Sequence, residues 1–483
     1  MSYQRIAGLT ALACVLLGGC VAIPADRGAA NSRTLVESRS ATAGSVPLVP
    51  LATDAAAEFT HRLLDAPIGA AEAVQLALLN SPRMRLLYAQ LGLVQGEVYD
   101  ATRLSNPSLG YMRLTPDVGG GAKTTWSIAQ SFTEILFQRF RNRVGRAQAL
   151  KAEQQVAHAV LQLEAEVREA FYQHAGAQMA SRLRAAAARG ARTSADLAGR
   201  FHDAGNVTLL QRSREEAVAS QASIGARRLA ADALAARGRL LTLLNLSIDD
   251  SSPRFVAELM LPMPLGADLS SLHSLADSQR LDLAALRTEV DMRQQQLTHV
   301  RHWRWLGGLT VRAERETERD GEVMSGPGAS IELPVFNSGK GTYLRSSALA
   351  ETSTARLAGL ATEIRNEIGV QYEVLEAARF AVDEYRTQLL PLQERIVASS
   401  QREQNFMLIG AFELLAARRE EIDTYESYVD AVRDYWIART RLARSVGGTL
   451  PGDESTGVSL TLPELPIDPI QDTAPTSIPG GAQ

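Results

Sequence analysis

Glu153-Gln154-Gln155-Val156-Ala157-His158-Ala159-Val160-Leu161-Gln162-Leu163-Glu164-Ala165-Glu166-Val167-Arg168-Glu169-Ala170 is the stretch that decides the fold class. Its apolar residues Val156, Val160, Leu163, Val167 and Ala170 step by four and three in turn, the seam spacing of a coiled coil. The stretch sits inside a proline-free run from about Phe137 to Phe201. At 1.5 Å per residue, a run of roughly 65 residues makes a rod of about 100 Å. A compact globular domain does not hold such a helix. One apolar seam cannot stay in water, so the rod needs helical partners along its length. Ala70–Leu104 and Val207–Leu246 are the candidates, and end to end they roughly match it.

The same plan returns in the second half. Helices are expected at Leu272–Trp303, Tyr343–Phe406 and Glu413–Val446, with a kink or break at Pro391. Phe201-x-x-x-Gly205-x-x-x-Leu209-Leu210 and Arg214-Glu215-Glu216 recur as Phe406-x-x-x-Gly410-x-x-x-Leu414-Leu415 and Arg419-Glu420-Glu421, at a constant offset of 205. Ser81-Pro82-Arg83-Met84 corresponds to Ser278-Gln279-Arg280-Leu281. The chain is therefore read as an internal duplication. Residues 68–250 form the first repeat and 251–448 the second.

Each repeat carries two short strands: 108–114 and 124–132, then 309–314 and 329–335. Leu309, Val311 and Ala313 alternate with Thr310, Arg312 and Glu314, while Ile331, Leu333 and Val335 alternate with Ser330 and Glu332. An apolar outer and charged inner face is what a water-filled membrane barrel requires. A solvated sheet edge gives the same alternation. In lipid, four strands cannot close a channel and open edges are not tolerated, so several chains would share one barrel.

Leu333-Pro334-Val335-Phe336-Asn337-Ser338-Gly339 resembles the P-x-F-[DN]-x-G strand-to-helix turn of TolC-like outer-membrane efflux channels. Ala77-Leu78-Leu79-Asn80-Ser81-Pro82, the Phe-x-x-x-Gly turns and Val446-Gly447-Gly448 resemble further motifs of that family, in order, over roughly residues 68–448. The resemblance implies a mainly α fold of two repeats, with long coiled-coil helices and four strands per chain in a shared trimeric, twelve-stranded barrel. It also implies partners: a periplasmic adaptor protein and, through it, an inner-membrane RND-type pump. Pro334, Phe336 and Gly339 would form the strand-to-helix turn, and Gly205, Asn206, Gly410 and Ala411 the adaptor-docking tip. Both tip glycines are expected to supply positive φ, with Phe201 and Phe406 packed behind them. Asp203 and Glu413 are pore-gate candidates, although Glu413 also reads as a first-turn glutamate favoured by the helix dipole. Phe132-Thr133-Glu134-Ile135-Leu136-Phe137 stands in the first repeat where the second has its P-x-F-N-x-G turn.

Three other classes compete with this reading. An exit duct of a protein-secretion system would share the fold, whereas a periplasmic coiled-coil lipoprotein would lack membrane strands. An enzyme finds no supporting constellation: no Ser-His-Asp signature, HExxH or Rossmann glycine pattern is present. Gly119-Gly120-Gly121-Ala122-Lys123-Thr124 has Ala where a phosphate loop needs Gly before Lys. His299-x-x-His302 lacks further ligands at metal spacing, and Trp303 and Trp305 beside it suit a membrane-interface girdle. No cofactor or metal is expected, and a net charge of −4 leaves no nucleic-acid footprint. The transported solute, drug or heavy-metal ion, is not legible.

Ile6–Leu17 is a short apolar stretch that suits a secretion signal over residues 1–19. It ends in Leu17-Gly18-Gly19-Cys20, which resembles a lipobox, so Cys20 would carry lipid and residues 20–67 would tether the body to the outer membrane. With Cys14 in the signal and Cys20 acylated, the mature chain has no free thiol. Residues 449–483, rich in Pro and small polar residues, are expected to be disordered. Changing Cys20 to Ser should abolish incorporation of labelled palmitate; persistent labelling would refute the lipid anchor.

Overall fold

The computed structural model describes residues 26–44, 53–117, 119, 121–247, 253–451 and 459–460. The signal stretch and Cys20 lie outside the described residues. The chain divides into two units. One comprises Met1–Ser38, Arg83–Ala159 and Arg280–Ile364; the other comprises Arg39–Pro82, Val160–Gln279 and Arg365–Gln483.

In chain order the first repeat runs α4 (Ala70–Asn80), α5 (Pro82–Thr102), β1 (Ser108–Leu114), β2 (Lys123–Ser131), α6 (Phe132–Asp203) and α7 (Leu209–Leu244). It is preceded by α1 (Ala29–Glu37), α2 (Ala41–Gly44) and α3 (Thr53–Leu64). The second runs α8 (Leu269–Gln279), α9 (Leu281–Trp303), β3 (Leu309–Thr317), β4 (Val323–Ile331), α10 (Lys340–Glu384), a π turn (Tyr385–Leu389), α11 (Leu390–Asn405) and α12 (Ala411–Val446). The long helix expected from the seam is α6, 72 residues in one piece. All five seam residues are buried, from Val156 to Ala170.

Several expectations are corrected. The helix expected over Ala70–Leu104 is two helices, because Pro82 forces Ser81 into extended backbone (ψ 123°). Leu272–Trp303 is likewise split, at the extended Arg280, whose guanidinium clamps Asp282 at 2.6 Å. At Pro391 the expected interruption is present, as a π turn rather than a chain break. The missing N–H is absorbed in the π turn just before it, where the Leu390 N–H reaches back five residues to the Tyr385 carbonyl. The fourth strand lies at Val323–Ile331 rather than 329–335. Gly326-Pro327-Gly328 looks like turn chemistry, yet β4 is an edge strand, where a proline is tolerated.

The tether segment is also more structured than its composition implies. In the first unit, Ser32 and Val36 of α1 are buried, and the Ser32 hydroxyl donates to the Glu153 carbonyl at 3.3 Å. Burial raises the pKa of the Glu153 carboxyl, which accepts from Asn31 Nδ2 at 3.3 Å. In the second unit, Ser459 bridges Met260, so part of the tail pairs with the body.

The duplication is visible in the elements, but not at the offset of 205. Both α7 and α12 have 36 residues and start 202 residues apart. Each ends in a left-handed residue, Asn245 and Gly447. In the second unit, Tyr435 of α12 donates to the Met263 carbonyl at 2.6 Å and Trp436 to that of Met260 at 2.6 Å. These bonds satisfy two carbonyls of the irregular chain that precedes α8. In the first unit, Gly145 lets α6 approach α5: a Cβ there would stand 2.7 Å from the Thr102 methyl.

Candidate channel wall and helix-hairpin turns

The four strands form one antiparallel sheet in the order β1-β2-β3-β4. Its register aligns Leu109, Ile128, Ala313 and Pro327 in one row, and Tyr111, Trp126, Arg315 and Ser325 in another on the same face. Val311 pairs Ala329, and Leu309 pairs Ile331, also on this face. The opposite face carries Ser127, Glu314 and Gly326 in one row and Ala129, Arg312 and Gly328 in another. There Arg312 reaches Glu314 at 3.5 Å and the Ser330 hydroxyl at 3.3 Å. Lys123 pairs with both Glu316 and Glu318. The alternation read from β3 extends through the central rows of the sheet, whereas Arg113 and Arg315 sit on the apolar face and Met112, Leu114 and Met324 on the polar one.

Among the described residues nothing covers the apolar face. Leu109 is 72% exposed, Ile128 50% and Ile331 53%. A contiguous apolar face of this kind marks an interaction surface. The Trp126 and Tyr111 rings lie 4.6 Å apart on it, tilted by 48°, next to Arg315. Toward the start of β3, Trp303 and Trp305 are exposed, and the Arg304 guanidinium lies 4.6 Å from the Trp305 ring. His299 is stacked on Phe140 at 3.8 Å while the His302 ring faces the Thr298 carbonyl, so the two imidazoles are separately engaged. Among the described residues no cluster of His, Cys, Asp or Glu could hold a metal ion.

The P-x-F-N-x-G turn has a local cause. The Asn337 side chain accepts from the Gly339 N–H at 3.1 Å, and Gly339 has φ +68° immediately before α10. A Cβ at Gly339 would come within 3.0 Å of Arg304. Pro334 starts the turn, and the Phe336 ring is fully exposed. The first repeat lacks this turn because β2 runs straight into α6 at Phe132. There the Thr133 hydroxyl accepts from the Leu309 N–H at 2.7 Å.

The helix-hairpin turns, in the second unit, differ from expectation. After α6, Gly205 has φ +77° and the Asn206 N–H donates to the Phe201 carbonyl, a Schellman closure. After α11 the equivalent bond runs from Leu408 to Glu403, and the left-handed residue is Met407 (φ 61°). Gly410 is extended (φ −80°) and caps α12, as Thr208 caps α7. Structurally, Gly205 matches Met407 and Thr208 matches Gly410, at the offset of 202. Phe201 packs edge-on against Phe412 at 6.4 Å, whereas Phe406 is 77% exposed. Met407 and Leu408 extend this apolar tip, at 92% and 74% exposed.

Asp203 ends α6 and pairs with Arg212 at 3.3 Å; Ala411 and Glu413 lie in the first turn of α12. Sequence reasoning missed Glu215. It is buried, accepts from the Ser194 hydroxyl at 2.8 Å and pairs with Arg419 at 3.4 Å. It thus ties α6, α7 and α12 together behind the turns.

No family sequence model and no curated protein matches the chain. Solved structures do. The outer membrane protein VceC from Vibrio cholerae aligns with a TM-score of 0.64 at 17% identity, over 78% of this chain and 96% of that one. The CmeC outer membrane channel of Campylobacter jejuni gives 0.63 at 13%, over 82% and 87%. The open state of the Neisseria gonorrhoeae MtrE outer membrane channel gives 0.55 at 17%, over 83% and 91%.

The fold is TolC-like. Within the TolC-like fold, the second repeat's P-x-F-N-x-G turn and the first repeat's uninterrupted strand-to-helix passage are two solutions to one junction. No helix among the described residues is long and apolar enough to cross a membrane.

The turn geometry sets a stability difference. Gly205→Ala should destabilise the protein by about 1–2 kcal/mol, the cost of a left-handed L-residue, while Gly410→Ala should cost less than about 0.5 kcal/mol. Met407→Gly should be neutral or stabilising. Thermal melts of the three variants check this; equal losses at 205 and 410 would contradict the assigned register.

Proposed function

We propose that this chain is one subunit of a homotrimeric outer-membrane channel-tunnel of a tripartite efflux pump. It would passively conduct exported solutes, drugs or heavy-metal ions, received from a periplasmic adaptor and an inner-membrane RND-type pump. The observation that carries this reading is the sheet: one exposed apolar face, one charged face and two open edges. A four-stranded sheet cannot enclose a pore, and its edges are intolerable in lipid. Three copies, with β1 of one beside β4 of the next, supply twelve strands and no edge.

On this reading the apolar face meets outer-membrane lipid, with Trp126, Tyr111, Trp303 and Trp305 near the two interfaces. The polar face, with Arg312 and Glu314, lines the water-filled lumen. The exposed apolar turn residues Phe406, Met407 and Leu408, with Gly205, Asn206, Gly410 and Ala411, form the adaptor-docking tip. Asp203 and Glu413 stand beside it as gate candidates. Lipid on Cys20 adds a second anchor. Conduction of this kind needs no catalytic group and no cofactor.

The two faces give the test. Arg at Val311 or Ile128 puts a charge into hydrocarbon at a cost of about 2–4 kcal/mol at mid-membrane depth, whereas Arg at Thr310 faces water. Outer-membrane fractions of the first two variants should lose the heat-modifiable trimer and drug or metal tolerance, and Thr310→Arg should keep both. Equal damage from the two faces would refute the channel wall, and absence of any trimer in the unaltered protein would favour a pore-less scaffold.

A further inference from the structure

His174, Arg182, Arg237 and Arg254 line one cavity of about 360 Å³ in the second unit, with Pro253 and Phe255 on its apolar side. The four come from separate places in the chain: His174 and Arg182 from α6, Arg237 from α7, and Arg254 from the segment beyond α7. That segment is pinned by the bridge between Ile68 and Phe255, where the Ile68 N–H donates to the Arg254 carbonyl at 2.8 Å. Arg237 is also fixed. It donates to the Pro253 carbonyl at 3.2 Å, and its guanidinium lies 5.3 Å from the centre of the Phe255 ring.

His174 meets Phe255 edge-on at 5.3 Å and is 3% exposed, with Nδ1 buried and lacking a hydrogen-bond partner. Burial first, then the Arg237 and Arg182 charges, push its pKa down to about 4, so the ring is neutral at pH 7. Three arginines therefore line one cavity, and no carboxylate lines it among the described residues. Concentrated like charge is unfavourable until an anion joins it. Guanidinium forks suit phosphate and carboxylate oxygens, and a buried unpaired nitrogen is a rarity that a ligand would remove.

We infer that this cavity binds an organic anion: Arg182, Arg237 and Arg254 take its phosphate or carboxylate head, and its apolar body lies against Pro253 and Phe255. Calorimetric titration of the detergent-solubilised full chain tests it with four probes: phenyl phosphate, benzoate, inorganic phosphate and benzyl alcohol. Phenyl phosphate and benzoate should each saturate one site per chain. Phenyl phosphate should bind more tightly than inorganic phosphate, and benzyl alcohol should give no saturable heat. Arg237→Gln with Arg254→Gln should weaken binding about tenfold or more at an unchanged circular-dichroism spectrum. If that variant does not fold, Arg182→Gln, at an exposed side chain, must show the weakening instead. The sequence also places Asp249 and Asp250 just before Pro253. Binding seen only with both changed to Asn would overturn the inference, because the chain's own carboxylates would then occupy the site. Binding indifferent to the arginines, or no binding in any variant, would overturn it as well.

Discussion

The rest of the structure depends on where the backbone groups of β1 and β4 find partners. Each is an edge of the four-stranded sheet, with a row of N–H and C=O groups turned away from the chain. In hydrocarbon every unpaired group costs several kcal/mol; in water the same edges template uncontrolled association. The apolar face adds its own demand, since Leu109, Ile128, Val311 and Ile331 are exposed together. In the proposed trimer, lipid outside, water inside and a copy of the chain at each edge satisfy all three demands at once. The charges on the opposite face, Arg312, Glu314 and Glu316, suit the watery side.

The helices then follow from the junctions. A strand that passes into α6 without a loop fixes the direction of that helix, and the Thr133 hydroxyl couples the junction to β3. The second repeat reaches α10 through a proline, an Asn side-chain turn and a left-handed glycine. One fold can hold both because the constraint is the sheet register, not the sequence of the connection. Farther along, buried Glu215 binds three helices together behind the two hairpin turns. There the exposed side chains become apolar again, at Met407 and Leu408.

Much of this was legible. The seam from Val156 to Ala170 is periodic over several turns, and periodicity is a property that tertiary context rarely overrides. The strand alternation at Leu309–Glu314 was equally plain. The register of the duplication was not, because identical residues suggested 205 while helix caps impose 202. Thr208 followed by Gln211, whose N–H it caps at 3.2 Å, was the missed signal. Gly410 looked like the left-handed residue because glycine favours positive φ, yet Met407 adopts it under the closing hydrogen bonds. β4 was displaced because Gly326-Pro327-Gly328 carries turn chemistry that an edge strand can absorb. The arginine cavity had no local signature at all, since its residues lie up to eighty positions apart.

Pairing between copies is the central claim, and cysteine crosslinking measures it most directly. In a chain with Cys20 replaced by Ser behind an ordinary signal, the mature protein has no native thiol. Paired cysteines are then scanned along the two edges, one at 108–114 and one at 323–331. The account predicts that one register of pairs oxidises in the membrane to a covalent, closed trimer on denaturing gels, with neither single variant doing so. Monomers at every register, with the protein intact in the outer membrane, would contradict it.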